Sequence, residues 1–103
     1  MKQDVVLKKT LLNSEKKILR ARSYSLRPTV MIGHRGVSDA VLSEIDIALE
    51  AHELIKVRFR GSGKESRAEL TKLIVENVDA VLVHQIGGVA VFFRPQEQKK
   101  IKC

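Results

Sequence analysis

The residues with the most chemistry to offer are Gly33, His34, Arg35 and Gly36. A glycine backbone turns sharply and lets a partner come close. Ser38, just beyond, is a strong helix N-cap, so free backbone N–H groups gather after the loop. A helix N-terminus carries partial positive charge and favours anions such as phosphate. With His34 and Arg35 at its tip, the stretch reads as a short basic loop suited to a nucleic-acid backbone. The plainer reading is a tight strand-to-helix turn. The stretch has neither the Gly-Lys-Ser/Thr of a Walker loop nor the six-residue pattern of a dinucleotide fingerprint.

Other reactive residue types are scattered. His34, His52 and His84 have no nucleophile or carboxylate at a suggestive spacing, and the single cysteine, Cys103, is the last residue. No catalytic residue is expected. His52 reads as a helix-end residue near the core edge, because no second His or Cys stands at ligand spacing. No metal, cofactor or small-molecule substrate is expected. One cysteine allows no internal disulfide, which fits a reducing, cytoplasmic setting. Val5-Val6-Leu7 is too short for a signal-peptide core, and no apolar run approaches membrane-spanning length.

Charge points the same way as the loop. The chain has 103 residues, 44% apolar and 30% charged, with a net charge of +7. That is one globular domain by size and composition, and its pI near 9.9 implies a polyanionic partner. Residues 1–36 hold nine Lys/Arg against two acids, whereas residues 37–53 hold five acids and no Lys/Arg. Residues 54–72 return to six Lys/Arg against two acids. Such segregation predicts a basic surface built from the front and the middle of the chain.

The elements that position these residues follow from punctuation and periodicity. Residues 1–13 read as a lead-in. Ser14 opens a helix with Glu15 in its first turn, where the dipole favours an acid. Ile18, Leu19 and Ala21, with Leu26, would face the core, while Lys16, Lys17, Arg20 and Arg22 cover the rest. Pro28 ends this helix and forces Arg27 to be extended. Residues 29–32 form a short apolar strand. Residues 39–53 form the clearest helix, with Val41, Ile45, Ala48 and His52 on one face, Leu42 and Leu49 beside them, and acids opposite.

Residues 54–60 alternate, with Ile55, Val57 and Phe59 on one side and Lys56, Arg58 and Arg60 on the other. Three cations are not buried unpaired, so that sheet face should be open or covered by something acidic. Residues 65–77 read as a helix packing through Leu70, Leu73, Ile74 and Val78. Residues 80–86 and 89–94 form a hairpin about Gly87-Gly88. Both hairpin faces are apolar, so it should lie within the sheet or be covered on both sides. Residues 97–103 read as a basic tail beyond Pro95.

At this point a family resemblance becomes specific. The runs Leu26-Arg27-Pro28, Ile32-Gly33-His34-Arg35-Gly36, 44–57, Gln85-Ile86-Gly87 and Phe93-Arg94-Pro95 together resemble the CRM domain. More narrowly, residues 14–96 are similar to the small stand-alone bacterial members, the YhbY family of RNA-binding proteins. The resemblance implies a single compact α/β domain of order α-β-α-β-α-β-β with a four-stranded mixed sheet. It also implies likeness to the C-terminal domain of translation initiation factor three, and a Gly-x-x-Gly loop comparable to that of KH domains. By position, Gly33, His34, Arg35 and Gly36 match the family's RNA-contact loop, and Lys56 its second-strand cation. The sequence departs from the pattern at Arg22-Ser23-Tyr24, where many members have an apolar residue, a small residue and His. It departs again at Phe93, where Tyr is common.

The expected function is therefore RNA binding, with ribosomal RNA of large-subunit precursors as the partner that the resemblance implies and a monomer as the acting form. The expected contact residues are Gly33, His34, Arg35, Gly36, Lys16, Lys17, Arg20, Arg27, Lys56, Arg58 and Arg60. With four aromatics, mostly in or near the core, recognition should rest on shape and backbone. Two alternatives are an RNA chaperone of broader specificity and a protein-interaction module using the acids Asp39, Asp46, Glu50 and Glu53.

Overall fold

The computed structural model describes residues 12–33, 36–61 and 64–95, with the side chains of Lys64 and Glu65 left aside. The elements run α1 (Asn13–Ser23), β1 (Val30–Ile32), α2 (Asp39–His52), β2 (Leu54–Phe59), α3 (Lys64–Val78), β3 (Val81–Ile86) and β4 (Val89–Phe93). This is the expected α/β order. The lead-in before Leu12, the tip of the glycine loop and the basic tail lie outside the described residues.

The four strands form one mixed sheet in the order β1-β2-β4-β3. β1 pairs parallel with β2, and β4 pairs antiparallel with both β2 and β3. β3 therefore runs parallel to β2 but lies one strand away, with β4 between them. The hairpin closes at Gly87-Gly88, where Ile86 faces Val89. A Cβ on Gly88 would come within 3.0 Å of the Phe59 carbonyl oxygen. The Phe59 N–H donates to the Gly88 carbonyl at 2.7 Å, so the glycine lets the turn press against the end of β2.

The layers are unequal. On one face Ile45, Ala48 and Leu49 of α2 and Ile74 and Val78 of α3 cover Val30, Ile32, Ile55, Val57, Phe59, Ala90 and Phe92. Ile32, Ile45, Leu49, Ile55, Val57, Ile74, Ala90 and Phe92 exclude solvent completely, so this is the principal core. On the other face, among the described residues, α1 covers part of the sheet, through Leu19 over Leu54, Val83 and Val91, with Leu26 and Phe93 beside them. Ser23 is buried there, and its hydroxyl donates to the Arg20 carbonyl at 2.7 Å.

Several helix faces differ from the sequence pattern. Ile18 and Ala21 are exposed, so α1 packs through Leu19 and not through a broad apolar stripe. Leu73 is exposed as well, and Thr71 is buried in its place. His52 is exposed at the last turn of α2, outside the core-facing stripe. The strands stop a residue short of the expected 54–60, 80–86 and 89–94 at one end or the other, as boundaries commonly do. On the cation-bearing face of β2, Arg58 and Arg60 are exposed as expected and Lys56 is half-buried. A basic helix lies across part of that face, held there by leucine contacts.

Candidate nucleic-acid interface

Strand register gathers the candidate residues at one end of the sheet. Met31 pairs with Arg58 and Ile32 with Phe59, and the Arg60 N–H donates to the Ile32 carbonyl at 2.7 Å. Arg60 thus sits where β1 hands over to the glycine loop. The Gly36 N–H donates to the Gly33 carbonyl at 3.0 Å and closes the loop as a tight turn. Gly36 has φ +75°, which an L side chain adopts only with strain. A Cβ there would touch Leu70 Cδ2 at 3.6 Å, an ordinary packing distance. Gly33 has no positive φ and nothing within 4 Å of a Cβ, so the expected conformational demand is met at Gly36 alone. His34 and Arg35, the tip of the loop, lie outside the described residues.

The helix after the loop starts as its sequence requires. Ser38 caps α2, its hydroxyl accepting from the Val41 N–H at 3.2 Å. Its first-turn amides therefore open at the end of the sheet that carries Arg58 and Arg60. Both arginines are exposed, and among the described residues neither they nor Lys56 pair with a carboxylate. Lys56 is half-buried, level with Val91 and His84.

The remaining cations divide. Lys16, Lys17 and Arg20 belong to α1, the helix laid over the same sheet face as Lys56 and Arg58. Arg27 is exposed in the connection before β1, where the Thr29 N–H donates to the Lys56 carbonyl at 2.8 Å. β1 therefore separates Arg27 from Gly33, and the two stand at opposite ends of that strand. Gly33, Gly36, Arg58 and Arg60 stand at one end of the sheet, Lys56 and the α1 cations belong to the layer on the face that α1 crosses, and Arg27 stands at the opposite end of β1.

Arg94 is the cation whose part the sequence hid. Its side chain is 17% exposed, and Nη1 donates to Asp46 Oδ1 at 2.7 Å and to the Val78 carbonyl at 2.8 Å. Nη2 donates to Glu50 Oε1 at 3.0 Å and to the Asp46 carbonyl at 3.2 Å. One guanidinium fork thus ties α2 to the end of α3, a geometry that lysine cannot copy. The Arg94 N–H also donates to the Glu53 carbonyl at 2.9 Å. Two of the four acids considered as a protein-binding face are therefore held internally.

The chain matches the CRS1 / YhbY (CRM) domain model over residues 11–94. It belongs to the CRS1 / YhbY (CRM) domain family. It is 39% identical over 93 residues to a Haemophilus influenzae protein named "RNA-binding protein", covering 90% of this chain and 94% of that one. It is 31% identical over 90 residues to the Bacillus subtilis protein YqeI, named "Probable RNA-binding protein YqeI", covering 87% of this chain and 94% of that one. The solution structure of the hypothetical protein SAV1595 from Staphylococcus aureus superposes with a TM-score of 0.75 at 30% identity, covering 84% of this chain and 91% of that one. The CRM fold expected from the sequence is the fold observed. Among the described residues no group of three His, Cys, Asp or Glu is placed to hold a metal ion, and no helix is long and apolar enough to cross a membrane.

Proposed function

We propose that this chain is an RNA-binding protein that associates with ribosomal RNA of large-subunit precursors during ribosome assembly in the cytoplasm. One observation carries the reading: the glycine turn, the N-terminus of α2, and Arg58 and Arg60, which meet no carboxylate among the described residues, converge at one end of the sheet. The names of the H. influenzae and B. subtilis relatives support RNA as the ligand. The ribosomal target is carried over from the resemblance to the bacterial stand-alone members.

In this mechanism RNA phosphates dock against the amides after Gly36 and the first turn of α2, as anions do at helix N-termini. Arg35 pairs with a phosphate at the loop tip, next to His34. Arg58, Arg60 and Lys56 continue the track along β2, and Lys16, Lys17 and Arg20 flank it from α1. Arg27 serves only an RNA long enough to pass the other end of β1. Phosphate contacts fix position and carry no sequence information, so selectivity comes from the shape of the RNA.

The test is crosslinking in cells followed by sequencing of the attached RNA. Enrichment of large-subunit ribosomal RNA precursors is the expected result. A broad spread over messenger RNAs would replace it with a general RNA chaperone, and absence of any RNA would overturn RNA binding itself.

A further inference from the structure

Three apolar side chains at the loop end of the sheet are unused by phosphate capture, and together with Arg58 they form a row that crosses all the strands on the face that α1 partly covers. Register places Met31 beside Arg58, Arg58 beside Val89, and Val89 beside Ile86. Met31 is 52% exposed and Ile86 65%, with Arg58 exposed and Val89 half-buried. The next positions on this face belong to the α1 layer, where Leu19 buries Leu54, Val83 and Val91. Among the described residues the cover stops before the row.

Single exposed apolar side chains are ordinary. These are aligned, three apolar residues and one guanidinium in a line roughly 14 Å long at the usual interstrand spacing. The fold does not need them: the principal core lies on the other face. The row adjoins the turn at Gly33 and Arg60, where phosphates would sit.

We infer that the row receives unpaired RNA bases whose phosphates the loop and Arg60 hold. This rests on the RNA-binding reading above. A base offers a flat apolar face that a guanidinium stacks on and that methionine and isoleucine pack against. Charge complementarity selects RNA over an apolar protein surface. Among the described residues no acid answers Arg58 or Arg60, so a partner must bring its own negative charge, and each nucleotide does. A regular duplex keeps its base faces inside the stack and cannot use the row, whereas a single strand or loop can.

The experiment compares an oligouridylate with a blunt RNA duplex of equal phosphate count, for wild type and the double variant Met31→Ser/Ile86→Ser. Both side chains are exposed, so the thermal midpoint should hold and is measured alongside. The double variant should lose about tenfold in affinity for the oligouridylate and little for the duplex. Its salt dependence should be unchanged, because no phosphate contact is removed. Equal oligouridylate affinity in both proteins would overturn the row while leaving RNA binding intact. A partner protein that survives ribonuclease on the wild type and is lost from the variant would reassign the row to protein. Failure of the wild type to bind either RNA would overturn the RNA-binding reading, and the row with it.

Discussion

Arg94 and Arg58 belong to neighbouring strands or their ends, and they live in opposite surroundings. Arg94 is mostly buried, with both nitrogens of its fork engaged by Asp46, Glu50 and two backbone carbonyls. Arg58 is exposed at the other end of the sheet, with no carboxylate partner among the described residues. The acids of residues 37–53 account for the difference. α2 carries two of them to the Arg94 end, and its N-terminus faces the Arg58 end. A cation already satisfied holds the fold, and one left unsatisfied is available to a ligand.

The largest expected effect sharpens this contrast at its structural pole. Arg94→Ala removes a partly buried cation and leaves the Val78 carbonyl without that donor. Charged hydrogen bonds contribute roughly 1.5–3 kcal/mol each in such settings, less where partners are as exposed as these carboxylates. The variant should lose about 2–3 kcal/mol in denaturant unfolding, and its folded fraction should bind RNA like the wild type. A loss of affinity without a loss of stability would move Arg94 to the binding surface.

At the other pole the expected signs reverse. Arg35→Glu puts an anion where a phosphate belongs, so RNA affinity should fall about tenfold or more. Its thermal midpoint should be unchanged or slightly raised, because an acid suits the helix N-terminus beyond the loop. Unchanged affinity in the folded variant would reduce the loop to a turn.

The two loop glycines give the smallest and most discriminating pair. Gly36→Ala must hold φ near +75°, which costs about 1–2 kcal/mol, although its Cβ would fit against Leu70. Gly33→Ala meets neither obstacle and should leave stability level or raise it by about 0.4–1 kcal/mol. If RNA comes close to the Gly33 backbone, that stable variant should nonetheless bind more weakly. Equal stability costs at both positions, read by chemical denaturation, would contradict the loop geometry.

Much of this was legible in the sequence where local rules decide. The alternation of Ile55, Val57 and Phe59 with Lys56, Arg58 and Arg60 named the buried face of β2, and Gly87-Gly88 named the hairpin. What stayed hidden depends on contacts between distant segments. Ile18 and Leu73 fit helical stripes but are exposed, because α1 meets the sheet through Leu19 and α3 presents Thr71 and Ile74 inward. Arg94 read as the end of the last strand and as part of the Phe93-Arg94-Pro95 run, and its partners on α2 became visible only with the fold. The Met31–Arg58–Val89–Ile86 row could not be read at all, since it needs the register of three strand pairs and the insertion of β4 beside β2.

The most direct test of unpaired cations as the RNA site is the salt dependence of affinity for single-stranded RNA, in wild type and Arg58→Gln/Arg60→Gln. Log affinity should fall linearly with log salt for the wild type, because bound phosphates release counterions. If each arginine neutralises one phosphate, the double variant should bind more weakly at low salt and its slope should be shallower by about 1.4. Its thermal midpoint should not move, since neither side chain pairs with an acid among the described residues. Identical slopes and affinities in two folded proteins would contradict the account and place the RNA elsewhere on the molecule.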